Sequence, residues 1–313
     1  MNVSVIIPVY NAEKFIEKAV QSTLQFPEVR EVLLIDDGSS DHSLALCRQL
    51  ASKYAEIKVR THPAGKNKGV SATRNLGIKE ATQEFITFLD ADDYWLPNRF
   101  DAERTLFLDP KVDGVFGGID AEFIGDDGKK AFIEKFGKDT LCSVQFPAEG
   151  RDIFYHLVEE PNTFGSFFSM IALTIKKEAL ERNNLYINEN LSLMEDKEFI
   201  IRLAYHTYLK TGIIDEGVAM RTSHDSNSIM KLTNNSRNFF SHNAKLYQSL
   251  YQWAKNKNDI PLQRINFFKL KYLSSDIAAK TGLRKYSSFI VQALQNPELL
   301  KTRFRYFALK NNP

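Results

Sequence analysis

Val3-Ser4-Val5-Ile6-Ile7-Pro8, then Glu31 to Ile35 running into Asp36-Asp37-Gly38-Ser39, then Phe85 to Leu89 running into Asp90 are the stretches that decide the fold. Each is a short β-rich apolar run that stops at a breaker or an acid. Between them the period changes to helical. Ala12 to Leu24 carries Phe15, Ala19, Val20 and Leu24 on one face. A second helix, capped in the Asp41 region, has the stripe Leu44, Cys47, Ala51 and Tyr54, and Gly69 to Ala81 reads as a third. Ile57 to Arg60 is a weaker strand. Four strands separated by helices imply right-handed βαβ crossovers and a largely parallel sheet. Ligands of such sheets bind beyond the carboxyl ends of the strands.

The acids at those strand ends carry the chemical signal. Asp36 and Asp37 follow the second strand. Asp90, Asp92 and Asp93 follow the fourth, in Phe88-Leu89-Asp90-Ala91-Asp92-Asp93. Single Asp residues are ordinary turn formers. Two clusters at one sheet edge repel each other unless a cation sits there, and oxygen-rich sites suit Mn²⁺ or Mg²⁺ shared with substrate phosphates. No G-x-G-x-x-G and no G-x-x-x-x-G-K-[ST] follows the first strand, where Val9-Tyr10-Asn11-Ala12-Glu13 stands instead. That argues against a Rossmann dehydrogenase and a P-loop NTPase.

Past Asp90 the pattern loosens. A helix is expected from Pro97 to about Leu108, a strand within Val112 to Ile124, a turn at Gly125-Asp126-Asp127-Gly128, and a buried strand from Phe167 to Ile175. A helix follows from about Lys176. Glu195 to Ala204 reads as a helix with Phe199, Ile200 and Leu203 inward, and Ile213 to Arg221 as a strand; residues 134–166 give no clear period. Beyond residue 231 the pattern is helical throughout, with Ser236–Asn256, Pro261–Lys280, Lys285–Leu294 and Pro297–Leu309 as the four segments.

The 313 residues, 43% hydrophobic and 26% charged, exclude a disordered chain or a disulfide scaffold. Cys47 and Cys142 have no metal or redox spacing and fit a reduced, cytoplasmic setting. No targeting segment is expected before Val3. The net charge of +2 hides an asymmetry. Residues 231–313 hold 15 Lys/Arg against 3 Asp/Glu, and residues 1–230 hold 26 against 36.

Four motifs, Val3-Ser4-Val5-Ile6-Ile7-Pro8-Val9-Tyr10-Asn11, Asp36-Asp37-Gly38-Ser39, Asn67-Lys68-Gly69-Val70-Ser71-Ala72-Thr73-Arg74-Asn75 and Phe88-Leu89-Asp90-Ala91-Asp92-Asp93, resemble in order, spacing and wording those of family 2 glycosyltransferases with the GT-A fold. The resemblance is specific over residues 1–100. It is looser at Glu195-Asp196 and over Arg221 to Ser228, and does not cover 231–313. It implies a nucleotide-sugar donor, a divalent metal and inversion at the anomeric carbon. Carried over residue by residue, it puts Pro8 and Tyr10 in the base pocket, Asp37 on the N3–H of uracil, and Asn67 and Arg74 near the nucleoside and its phosphates. Asp90 falls near the ribose and Asp92 on the metal. Asp196 becomes the general base that takes the acceptor proton, with Glu195 supporting it, and His224 a metal or diphosphate contact. The bland alternatives are a capping role for Glu195 and Asp196 at a helix start and a surface pairing of Arg74 with Glu80.

The expected architecture is thus an α/β GT-A domain over 1–230, with a nucleotide-binding half over 1–110 and an acceptor-side half over 111–230. A basic helical region over 231–313 follows it. The expected activity is transfer of a sugar, UDP-linked by preference, to a hydroxyl of a saccharide or lipid-linked saccharide acceptor in cell-surface polysaccharide synthesis. Two rivals are a nucleotidyltransferase on a similar sheet, which would show a glycine-rich basic loop after its first strand, and a saccharide-binding module that has lost catalysis, which would have eroded Asp92 or Asp196. The basic region either packs on the acidic body, binds an anionic acceptor, or lies on the inner face of a membrane through Leu299, Leu300, Phe304 and Phe307. No nucleic-acid module accompanies the charge.

Overall fold

The computed structural model describes residues 1–124, 144–159, 163–165, 167–223 and 235–310. The turn expected at 125–128, Cys142 and His224 lie outside them. The chain forms two compact units, one made of Met1–Glu189 with Phe199–His224 and the other of Asn190–Glu198 with Asp225–Pro313.

In the first unit, β1 (Val3–Val9) and β2 (Val29–Asp36) are buried almost throughout. Strands covered on both faces need apolar side chains on both, hence continuous apolar runs in place of alternation. β1 pairs in parallel with β2 and with β4 (Phe85–Phe88), and β2 with β3 (Ile57–Thr61). Helices α1 (Ile16–Leu24), α2 (Ser43–Lys53) and α3 (Val70–Glu80) make the crossovers. α3 approaches β1 closely at Gly77, where a Cβ would lie 2.3 Å from Cγ2 of Ile6. The helix expected from Ala12 starts at Ile16. Asn11 has φ +49, and the Ala12 N–H donates to Ser43 Oγ at 2.8 Å, so the preceding residues are held as a loop.

After β4 come β5 (Tyr94–Trp95), α4 (Asp101–Leu106), β6 (Gly114–Phe116), β7 (Gly118–Phe123) and α5 (Arg151–Leu157). They are followed by β8 (Leu173–Lys176), α6 (Lys177–Arg182), α7 (Glu195–His206), β9 (Leu209–Thr211) and β10 (Gly217–Ser223). Among the described residues, the main sheet has the order β3-β2-β1-β4-β8-β6-β9, and a small second sheet the order β5-β10-β7. Only β8 runs against its neighbours in the main sheet.

Three sequence expectations change here. Val112 to Ile124 divides into two strands in different sheets, broken at Gly117. Phe167 to Ile175 is strand only from Leu173; Met170–Ala172 is a 3-10 turn. A short apolar run marks burial but not backbone type, and here Ala172 N donates back to the Ser169 carbonyl to close the turn, while the Ile171 carbonyl accepts from Trp95 Nε1 in place of a ladder partner. The strand expected over Ile213 to Arg221 runs Gly217–Ser223.

The second unit contains α8 (Arg237–Ala254), α9 (Leu262–Ala278), α10 (Gly282–Gln295), a 3-10 turn at Pro297–Leu300 and α11 (Thr302–Leu309). Its core includes Phe240, Leu250, Phe268 and Ile277, with Asn243 donating to Ser275 Oγ at 2.8 Å. The single helix expected over Pro297–Leu309 breaks at Lys301, whose extended backbone separates the turn from α11. Leu299 and Phe304 are buried there, and Phe307 meets the Phe240 ring edge-on at 5.0 Å. No helix among the described residues is long and apolar enough to cross a membrane.

Candidate active site

The order β3-β2-β1-β4 reverses direction between β1 and β4. The loops leaving those two strands therefore diverge and open a crevice at the carboxyl edge of the sheet. Register fixes what stands there: Val9 is level with Asp36, and Ile6 with Phe88. Tyr10, Asp36-Asp37 and Asp90 thus emerge on one edge.

The loop after β1 is fastened to the loop after β2. Asn11 N donates to Ser39 Oγ at 3.1 Å, and Ser40 N to Asn11 Oδ1 at 2.8 Å. Asp36 Oδ2 accepts Gly38 N and Ser39 N, forming the turn, while its Oδ1 is buried with no hydrogen-bond partner. Gly38 has φ +74, and a Cβ there would lie 2.8 Å from both Asn67 N and the Gly65 carbonyl oxygen. Only glycine lets these two loops meet.

Asp37 is buried and holds the entrance to α3. Its Oδ1 accepts Lys68 N at 2.6 Å and its Oδ2 accepts Gly69 N at 2.9 Å, with His62 Nε2 3.6 Å from Oδ1. Two carboxylate oxygens offer about four acceptor positions, so capacity remains for a further N–H. Pro8 is half-buried on β1, whereas Tyr10 and Asn67 are exposed at the edge. An exposed aromatic ring beside an anchored carboxylate is a surface on which a base can stack.

Arg74 on α3 is buried, and its Nη2 donates to Asp90 Oδ1 at 2.5 Å. Glu80, its partner in the surface alternative, pairs with Arg60 instead. Burial opposes the charge on Asp90, but Arg74, and beyond it Arg221, hold the carboxyl below the usual range. Asp93, grouped with Asp90 and Asp92 in the sequence, has a different place. It is buried and accepts Thr222 N from β10 at 2.9 Å. Burial, then the field of Asp92, pushes its carboxyl well above the usual range, against the pull of Arg221. Asp93 is a structural acceptor that ties the turn to the second sheet, and half-buried Asp92 remains at the edge.

Two residues escaped the sequence reading. Arg221, noted only as part of a segment, acts electrostatically on both Asp90 and Asp93. Its Nη2 also lies 3.3 Å from Ser169 Oγ. Asn75, quoted within a motif without a role, bonds both the N–H and the carbonyl of Ile187 and reaches Glu189 Oε1 at 2.9 Å. No spacing rule announces either, because the partners of Asn75 and the acids on which Arg221 acts are each more than a hundred residues away in sequence.

Glu195 and Asp196 open α7 and belong to the second unit. The preceding Met194 has φ +64, a left-handed conformation that is costly outside glycine. Glu195 is buried, Asp196 half-buried, and Glu198 Oε1 accepts Ser249 Oγ at 2.8 Å. Asp196 Oδ1 accepts Lys197 N at 2.8 Å.

The sequence profile described as "Glycosyl transferase family 2" matches residues 4–171, more than half of the chain and all four motifs. The chain belongs to glycosyl transferase family 2. Proteins similar to it include the minor teichoic acid biosynthesis protein GgaB of Bacillus subtilis, 30% identical over 263 residues, or 82% of this chain. The glucosyltransferase WfgD of Escherichia coli, named for UDP-Glc and a GlcNAc-diphosphoundecaprenol, is 30% identical over 119 residues, or 38% of this chain. The chain spans only 26% of GgaB and 46% of WfgD. Among solved structures, Staphylococcus aureus TarS residues 1–349 in complex with UDP-GlcNAc matches with a TM-score of 0.62 at 20% identity, covering 98% of this chain and 84% of that one. The likeness is one of fold: the GT-A-type mostly parallel sheet with flanking helices and a helical C-terminal part. The family match ends before Glu195 and Asp196.

Proposed function

We propose that the chain transfers a sugar from a nucleotide diphosphate sugar, UDP-linked, to a hydroxyl of a cell-surface glycopolymer acceptor, a saccharide or lipid-linked saccharide of the teichoic-acid or polysaccharide kind. The observation that carries this is the juxtaposition at one sheet edge of exposed Tyr10, anchored Asp37, and Asp90 braced by Arg74 with Asp92 beside it. Family membership and the names of GgaB and WfgD support it.

Among the described residues no three His, Cys, Asp or Glu side chains group as a metal cage. A hard divalent ion shared with a diphosphate needs only one or two protein carboxylates, the rest being phosphate and water oxygens. Asp92 at the crevice, next to the Asp93 carboxyl that burial first and then the field of Asp92 raise, fits that donor set. Mn²⁺ or Mg²⁺ held by Asp92, with His224 as a second ligand, would neutralise charge on the departing diphosphate.

The chain's own residues do the rest. Tyr10 and Pro8 face the base, Asp37 takes a ring N–H, and Asn67 stands at the nucleoside. Asp90, held in place by Arg74, accepts from the ribose. At the acceptor, Asp196 takes the hydroxyl proton as that oxygen bonds to the anomeric carbon. The bond from carbon to diphosphate breaks on the opposite face, inverting the centre and releasing the nucleoside diphosphate. Glu195 supports Asp196. Nucleoside diphosphate release from a panel of UDP- and GDP-sugars with Mn²⁺, with and without added acceptor, tests this. Turnover of no nucleotide sugar in the panel would overturn it.

A further inference from the structure

Helix α10 turns its apolar stripe away from its own unit. Leu283, Tyr286, Ile290, Val291 and Leu294 are 89%, 52%, 58%, 51% and 79% exposed. Their spacing of i, i+3, i+7, i+8 and i+11 places them on one helical face. The packing falls on the rest of the helix, where Lys285, opposite the stripe, and Ala293, at its border, are buried. A helix that merely covers a core has the reverse arrangement. The orientation is fixed by an unusual contact: buried Lys285 donates from Nζ to the Lys310 carbonyl at 2.5 Å, fastening the end of α11 to α10.

The surroundings are basic. Gly282 to Lys310 contains six Lys/Arg and one acid, Glu298, which is paired with Lys301 at 2.9 Å. Arg284, Arg303 and Arg305 are exposed, as are Leu300 and Tyr306. A shallow cleft of about 550 Å³ beside α11 is lined by Thr302, Arg305, Tyr306, Leu309 and Lys310, so cations and apolar surface share it.

We propose that the outward face of α10, with the exposed arginines of α10 and α11, docks into the interface of an anionic lipid bilayer. Apolar side chains over a cationic rim, with tyrosine rings among them, match the boundary between acyl chains and acidic headgroups. A second copy of the chain would instead bring one basic surface against another, a juxtaposition that charge opposes. The helix lies on the bilayer and does not span it, since its 14 residues reach only about 21 Å against a hydrocarbon core of about 30 Å. The sequence stripe at Pro297–Leu309 is a poor anchor by comparison, because Leu299 and Phe304 are buried in their own unit.

The experiment is co-sedimentation of the full chain with phosphatidylcholine vesicles with and without phosphatidylglycerol. Binding is expected only with phosphatidylglycerol at low salt, with release in 1 M salt, where screening length falls to about 3 Å. The combined variant Leu283→Ser, Ile290→Ser, Leu294→Ser should lose at least about tenfold in vesicle partition while its melting curve is retained, since all three side chains are exposed. Arg303→Gln with Arg305→Gln should weaken partition separately. Failure of the full chain to bind phosphatidylglycerol vesicles at low salt overturns the proposal. So does undiminished binding by the triple variant. Self-association that the triple variant abolishes without change in vesicle partition would assign the face to a second copy instead.

Discussion

Replacing Arg74 by Met keeps the aliphatic stem and removes the guanidinium that faces Asp90. The Arg74 side chain is 7% exposed and Asp90 30%. Removing one member of a fully buried ion pair costs about 3–5 kcal/mol, while an exposed pair contributes about 0–1 kcal/mol. The partial exposure of Asp90 places the loss between these, at about 2 kcal/mol. Asp90→Asn alone should cost less, because a neutral amide still accepts from Arg74. In a double-mutant cycle measured by urea unfolding at pH 7, a coupling of about 1–2 kcal/mol is expected. The pH dependence has a definite sign. Asp90 has a lowered carboxyl value in the folded chain, so its contribution is complete above the unfolded value of about 4 and is lost as pH falls below that toward the folded value. The deficit of Arg74→Met should therefore be constant from pH 7 to about 5 and shrink in more acidic solution. Additive single mutants, or a deficit that grows on acidification, would show that Arg74 does not act through Asp90.

Three further outcomes are expected. UDP should bind markedly less tightly by calorimetry in EDTA than in Mn²⁺, because the diphosphate would face Asp92 unscreened, and Asp92→Asn should narrow that gap; equal affinities in the wild type would remove the metal role. Asp196→Asn should reduce transfer by about 10²–10⁴ while UDP binding is unchanged, whereas activity within a few-fold of wild type would exclude it as the base. Gly77→Ala puts a methyl group 2.3 Å from Ile6 Cγ2 and should cost about 1–3 kcal/mol in thermal unfolding, with a smaller penalty in an Ile6→Ala background, which lacks both Cγ atoms; no loss would mean α3 and β1 separate freely.

The first four strands were legible because their signals are local. A strand covered on both faces must be apolar throughout, so Val3–Val9 and Val29–Asp36 stood out. The acids that end β2 and β4 are placed by the same runs. Parallel pairing then puts them on one edge without further information. Irregular backbone resisted reading. Met170–Ala172 is as buried as a strand, and its hydrogen bonds, Ala172 N to the Ser169 carbonyl and Trp95 Nε1 to the Ile171 carbonyl, show that it is not one.

Sequence alone determined the order of elements up to β4, the family motifs and the carboxylates at the sheet edge, since each depends on residues within about one helix or strand of one another. Tertiary structure decided who meets whom. It separated Asp93, spent on Thr222 N, from Asp92. It matched Arg74 to Asp90 and not to Glu80, and brought Arg221 to bear on Asp90 and Asp93. It also decided which way the C-terminal stripes face. An apolar helical stripe in a basic segment has the same periodicity whether it packs inward, as Leu299 and Phe304 do, or faces outward, as Leu283, Ile290 and Leu294 do. Periodicity records that a face is apolar, and only the packing of neighbouring helices determines whether that face is covered.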